Sequence, residues 1–190
     1  MSKSRSVMIL VLMLLMGVSP GVRAEVEVVI NIPAFTLYLY DQGVPVKSYP
    51  IAIGTEFNPS VLAETTIINK VADPTYYPPN AAARGLEPIP PGPDNPVGTR
   101  WLGLGLSGYG IHGTNNPQSI GSAASSGCIR MHNHDVEELT ELVRIGTPVR
   151  LVYQTVLFQE DPLLHTRTIT VFPDVYKQGV TPSQLEDELL

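Results

Sequence analysis

A mainly β fold with one well-defined helix is what the sequence predicts, and three observations predict it. Apolar residues alternate with period two in short runs across the first half of the chain, where no helical period appears. A helical spacing of apolar residues is clear only once, after residue 132. Between the two lies a segment rich in proline, which lacks the amide donor that a ladder needs.

Residues 1–24 read as a secretory signal. Lys3 and Arg5 form a positive start, Val7 to Met16 is an unbroken apolar run, and Gly17, Pro20 and Gly21 break any helix. Val22-Arg23-Ala24 offers small residues where a signal peptidase reads. The apolar run is short for a bilayer span, so an uncleaved anchor is the lesser alternative. No cysteine stands near the cleavage point to be acylated. The expectation is therefore an exported protein with no membrane attachment after cleavage. The signal carries three of the 12 basic residues and no acid, leaving nine against 18 and a formal charge of −9. That balance argues against nucleic acid or an anionic membrane as a partner held by bulk charge. Residues 25 to 190 suffice for one domain with a real core.

The elements follow in order. In "VEVVINIPAFTLYLYDQGVPVKSYPIAIG", Val26, Val28 and Ile30 alternate with Glu27 and Val29, and Leu37 and Leu39 alternate with Tyr38 and Tyr40. Asp41-Gln42-Gly43 is a turn, and "VKSYPIAIG" is a further strand, giving a β-hairpin pattern. "TTIINKV" reads as another strand. Residues 73–98 hold eight of the 18 prolines and form a long irregular excursion, read as a stiff lid or groove wall rather than a connector. "TRWLGLGL" and "YGIHG" look like a strand and a strand end. In "NHDVEELTELVRIG", Val136, Leu139, Leu142 and Val143 share one helical face. Asn133 caps its start, Asp135 and Glu138 have capping-box spacing, and Gly146 ends it. "TPVRLVY" resumes β structure, "TRTITVF" is one more strand candidate, and "PSQLEDELL" is an acidic tail.

The chemistry-bearing stretch is "IHGTNNPQSIGSAASSGCIRMHN", residues 111–133. It holds the chain's single cysteine, Cys128, and His112. An unpaired thiol in an oxidising compartment is a hazard unless it is buried or used. A cysteine attacks as a thiolate and needs a base, which His112 at a strand end would supply. No acid adjoins His112, so the Gly113 carbonyl is the group available to fix its tautomer. Gly127 lets the backbone approach closely and aim amides into the site as an oxyanion hole. Arg130, two residues beyond Cys128 in an extended stretch, lies on the same side and would fork onto a substrate carboxylate. Two other readings stand beside this one. Cys128 reads equally as a small buried apolar residue. Alternatively, Cys128, His132 and His134 spell C-x3-H-x-H and, with His112, give four zinc-type ligands, although they have difficulty converging. His165 reads as an ordinary surface or strand histidine.

"IHGTNNPQSIGSAASSGCIRMHNHDVEEL" resembles the signature of the L,D-transpeptidase catalytic domain family of the YkuD type. That signature pairs an H-G element with a later S-x-G-C-[IL]-R element. "YPIAIG", "DPTYYPP" and "NPVGTRWLGL" resemble its flanking blocks, in matching order, and the resemblance covers roughly residues 25–153. Residues 154–190 are a C-terminal extension that resembles one found in Gram-negative envelope members. The resemblance implies a β-sandwich of mixed sheets with a helix beside the active loop. It implies Cys128 as nucleophile, His112 as base and the Gly113 carbonyl as its orienting group. Ser126 and Gly127 match the turn before the nucleophile, and Arg130 matches the arginine beside the substrate groove.

The implied activity is cysteine acyl transfer on peptidoglycan stem peptides through a thioester, with no metal or organic cofactor. The acceptor is a second stem, an envelope lipoprotein amine or water, the last giving an L,D-carboxypeptidase. A non-catalytic wall-binding module is the reading from another class. Two positions depart from the family. Ser126 stands where many members have a second histidine, and Val61 to Glu64 lack the T-P-x-G turn.

Overall fold

A computed structural model describes residues 26–161 and 166–179. The signal segment, His165 and the acidic tail lie outside them.

The first three strands are β1 (Glu27–Asn31), β2 (Thr36–Asp41) and β3 (Val44–Pro50), paired antiparallel as a meander. The expected turn at Gln42-Gly43 joins β2 to β3, with both residues at positive φ, 52° and 78°. That hand of turn matches the twist of the strands it joins. In β2 the alternation read from sequence is the alternation of burial, with Leu37 and Leu39 facing the core, whereas β1 is buried on both faces, Val29 and Asn31 as well as Val28 and Ile30.

The chain then runs through β4 (Ile53–Gly54), β5 (Ala63–Ala72), a one-turn helix α1 (Ala81–Arg84), β6 (Arg100–Leu104), β7 (Gly110–His112), β8 (Ala123–Ser125) and β9 (Ile129–Arg130). The helix α2 (Asn133–Leu142) follows, then β10 (Pro148–Val152), β11 (Val156–Asp161) and β12 (Thr166–Val171). Eight strands make one mixed sheet in the order β3-β2-β1-β10-β5-β6-β7-β9. β1 pairs parallel with β10, and β7 with β9. β4–β8 and β11–β12 are separate two-stranded pairs.

β5 joins the two halves of the sheet. Residues 63–66 pair with β10, and residues 67–72 pair with β6, with an irregular register between Ile67 and Asn69. Leu37 near one end and Ile129 at the other belong to the same buried cluster, so the sheet curls round a single core. The mixed β class expected from the sequence is the one found, and β5 carries the hydrogen-bond ladder between its halves.

α2 buries Val136 and Leu139 against that core, followed by Val143. Each such side chain contributes about 1.5–3 kcal/mol by leaving water. Four helix expectations need correction: Leu142 is 41 % exposed, off the buried face, and Glu138 bonds to Lys47 and Tyr49 instead of closing a capping box. Asn133 is the first helical residue, not the cap; His132 precedes the helix and makes no side-chain cap bond. The helix ends at Leu142, and Gly146, at φ 92°, turns the chain towards β10 three residues past the Val143 cap.

The proline segment is ordered by one buried side chain. Asn95, 0 % exposed, donates from Nδ2 to the carbonyls of Pro74, Ile89 and Pro90 at 2.7, 3.2 and 3.1 Å. Its Oδ1 accepts the Val97 amide at 2.9 Å. The Tyr76–Ile89 bridge closes the excursion further. The alanine run 81–83 forms the single turn of α1, which the sequence reading left irregular.

Candidate active site

Strand register assembles the site. Trp101 on β6 is paired with His112 on β7, and His112 with Arg130 on β9. Their neighbours Leu102, Ile111 and Ile129 are paired in the same way and are fully buried. Successive residues of a strand point to opposite faces. Since the leucine and isoleucines take the core face, Trp101, His112 and Arg130 are aligned on the other. Cys128 lies in the bend immediately before β9, two residues from Arg130, whose charge acts on it.

His112 is buried, 5 % exposed. Its Nδ1 lies 2.6 Å from the Gly113 carbonyl oxygen. A carbonyl only accepts, so Nδ1 carries the proton and Nε2 presents its lone pair. The Trp101 indole stacks on the imidazole at 5.6 Å between centroids and 18° between planes. Burial pushes the His112 pKa down to about 4; Arg130 adds to that and the Gly113 bond opposes it. At neutral pH the ring is therefore an uncharged base.

Cys128 is half-buried, its Sγ 3.5 Å from the Gly108 carbonyl. Burial raises its pKa, opposed by a backbone hydrogen bond from Gly110 and by the Arg130 charge. Both shifts favour the neutral thiol–imidazole pair over a preformed ion pair. Arg130 is the nearby cation that acts on both groups. Its Nε is buried without a hydrogen-bond partner among the described residues. A buried donor left unpaired costs about 1–3 kcal/mol. Its backbone is tied down by reciprocal bonds with Ala52 at 3.0 and 2.9 Å.

The turn before Cys128 is held from several sides. Ser126 is exposed, whereas Gly127 is buried at φ 113°, which disfavours any side chain. The Tyr109 ring closes over Gly127. Ser125 Oγ accepts the Gly127 amide at 3.1 Å and donates to the Cys128 carbonyl at 2.6 Å. The Gly127 N–H is thus engaged within the turn. Ser60 Oγ donates to the Gly127 carbonyl at 2.9 Å.

Asn133 holds the histidine side. Its Oδ1 accepts the Thr114 amide at 2.9 Å and the Thr99 amide at 3.4 Å. The Thr114 amide and the Gly113 carbonyl belong to one planar peptide unit. Asn133 therefore sets the plane whose oxygen receives His112 Nδ1. Gly98 and Gly113 lie so close to Asn133 that a Cβ on either would collide with Oδ1.

The metal-type reading finds no geometry here. His132 and His134 stack on each other at 5.4 Å, and His134 Nε2 lies 3.1 Å from Asp135. Among the described residues no three potential ligands converge. Sequence reasoning missed Trp101, Ser60, Ser125 and Asn133. For Asn133 a signal existed, since an acceptor side chain at a helix start is a hydrogen-bonding position, but spacing assigned it to its own helix.

Comparison with known proteins identifies the fold and the family. A family model described as the L,D-transpeptidase catalytic domain, YkuD, matches residues 25–151. A Bacillus licheniformis protein bearing the name L,D-transpeptidase YkuD is 39 % identical over 136 residues, 70 % of this chain and 71 % of that protein. Its Bacillus subtilis namesake is 40 % identical over 125 residues, 66 % of this chain and 65 % of that protein. The solved catalytic domain of an Enterococcus faecium L,D-transpeptidase has the same fold, with a TM-score of 0.54, 23 % identity, and coverage of 70 % of this chain and 100 % of that one. A longer Enterococcus faecium L,D-transpeptidase structure, the C442S mutant, gives a TM-score of 0.56 at 21 % identity, covering 67 % of this chain and 49 % of that chain. This chain thus spans about half the length of that longer structure.

Proposed function

The chain belongs to the L,D-transpeptidase catalytic domain family of the YkuD type, and from that premise we propose that it is a periplasmic cysteine acyltransferase acting on peptidoglycan stem peptides. One observation carries the reading: a buried neutral imidazole, with its proton on Nδ1, and a half-buried thiol both feel the charge of the same arginine, Arg130, which is register-paired with the histidine.

The chemistry follows from the protonation states. Cys128 Sγ attacks the carbonyl carbon of an L,D peptide bond, and its proton passes to His112 Nε2. The C–S bond forms and the carbonyl becomes an oxyanion. As it collapses, the C–N bond breaks, and His112 returns the proton to the leaving D-residue's amine. A thioester remains on Cys128. An amine of a second stem or of an envelope lipoprotein then attacks, gives its proton to His112 and releases the thiolate, which is reprotonated. Arg130 binds a substrate carboxylate and orients the stem. The exported location rests on the signal-like residues 1–24.

Intact mass measurement after incubation with tetrapeptide stems tests the reading. The expected result is an acyl adduct on the wild type and none on Cys128→Ala. Cross-linked products mean transfer, and shortened monomers mean hydrolysis of the same thioester. Retained peptidoglycan remodelling by Cys128→Ala would overturn it.

A further inference from the structure

The family match ends at residue 151, yet the chain beyond it returns to the back of the nucleophile turn. The Tyr176 hydroxyl is inserted in the loop after β4. It accepts the Ser60 amide at 3.1 Å and donates to the Gly54 carbonyl at 2.8 Å. Ser60 is buried, and its Oγ accepts the Gly54 amide at 2.9 Å. That hydroxyl's single proton goes to the Gly127 carbonyl, at 2.9 Å.

Tyr176 is itself held in place. Its ring stacks on Tyr153 at 5.8 Å, and its amide donates to the Tyr153 hydroxyl at 2.8 Å. Tyr153 in turn donates to Asp174 at 2.5 Å, and the Asp174 carboxylate gathers the amides of Gln178 and Gly179 at 2.9 and 2.8 Å. Residues 174–179 are thus a small clasp that delivers one hydroxyl to one place.

What that hydroxyl controls follows from the peptide group. The Gly127 carbonyl and the Cys128 N–H share one planar unit and, in the trans form, point in opposite directions. Fixing the carbonyl on Ser60 fixes the direction of the Cys128 amide, away from Ser60. In acyl transfer the oxyanion develops on the oxygen of the carbonyl that Sγ attacks, two bonds from the sulfur, where the nucleophile's own amide is a donor in reach. We propose that Tyr176 is a positioning residue for acyl transfer: through Ser60 it sets the tilt of the Gly127–Cys128 peptide and so aims the Cys128 amide at the developing oxyanion. This rests on the acyl-transfer reading above, and it gives the C-terminal segment a part in the chemistry.

The test separates oxyanion stabilisation from thiol reactivity. Tyr176→Phe keeps the ring on Tyr153 and removes both hydroxyl bonds. The rate of acyl-enzyme formation with a tetrapeptide stem is expected to fall roughly 10- to 100-fold, less than loss of a whole oxyanion donor, with KM unchanged. Alkylation of Cys128 by iodoacetamide, a displacement that builds no oxyanion, should keep its wild-type rate and pH dependence. Ser60→Ala should show the same split, and the double variant should be no slower than the slower single one. A wild-type acylation rate in Tyr176→Phe overturns the proposal, as does an equal loss of alkylation and acylation. A wild-type protein that alkylates but never acylates overturns the acyl-transfer reading itself, and this proposal with it.

Discussion

Asn133 and Thr114 meet through a 2.9 Å hydrogen bond that fixes the peptide on which His112 leans. Donation from the Thr114 amide strengthens the Gly113 oxygen as an acceptor, because bonded peptide groups polarise one another. Asn133→Ala should therefore loosen the imidazole tautomer and lower kcat by roughly 10-fold or more, since Brønsted catalysis by a positioned base contributes 10²–10⁴-fold in all. Nitrogen NMR of the His112 ring should show the Nδ1-protonated form in the wild type and a mixture in the variant. Asn133→Asp keeps the acceptor oxygen and should restore the single tautomer.

Protonation of the pair sets the pH profile. With His112 held near 4 by burial, acylation should lose rate only below about pH 4 on its acid side. The Cys128 thiol is raised by burial, so iodoacetamide alkylation should climb with pH beyond the ordinary thiol range. Alkylation that titrates in the acid range would mean an imidazolium–thiolate pair and would contradict this picture.

The same burial makes stability depend on pH. The unfolded His112 protonates near 6.5, whereas the folded one does so near 4. Stability is therefore full above pH 6.5 and falls as pH drops towards 4, because the unfolded chain alone takes up the proton. The slope is about 1.4 kcal/mol per pH unit, or about 2 kcal/mol between pH 6.5 and 5. Urea midpoints at those two pH values should show it, and His112→Gln should remove that part of the slope.

Close approach at the histidine loop is testable by adding one carbon. Gly113→Ala places a Cβ on Asn133 Oδ1, with Gly98 also near. Overpacking of this kind costs about 1–3 kcal/mol. Combining it with Asn133→Ala should recover part of that cost. A double-mutant cycle by denaturation measures the coupling, and strict additivity would contradict the contact.

Anchoring of the proline excursion rests on Asn95. Asn95→Ala leaves the Pro74, Ile89 and Pro90 carbonyls without their shared donor. The expected loss is about 1–3 kcal/mol, concentrated locally. Limited proteolysis should then cut within residues 73–98 of the variant before it cuts the wild type.

Much of this arrangement was legible in the residues. Alternation at Val28, Ile30, Leu37 and Leu39 marked strands, because side chains one pleat apart face opposite solvents. The spacing of Val136 and Leu139 marked α2 for the analogous helical reason. Cys128, His112, Gly113 and Arg130 were named as candidates, and strand register pairs His112 with Arg130 directly after the bend that holds Cys128. The supporting groups were not legible. Asn133 looked like a cap for its own helix because spacing registers only the nearest available donors. Ser60 and Tyr176, 116 residues apart, have no local pattern linking them.

The sequence by itself determined the β class, the single long helix and the candidate thiol and imidazole, since each depends on residue chemistry or on short-range periodicity. Only the tertiary structure decided the charge states of that pair, the backbone planes around it and the reach of the C-terminal segment. Burial and register arise when distant strands pack together, and no short stretch of chain carries that information.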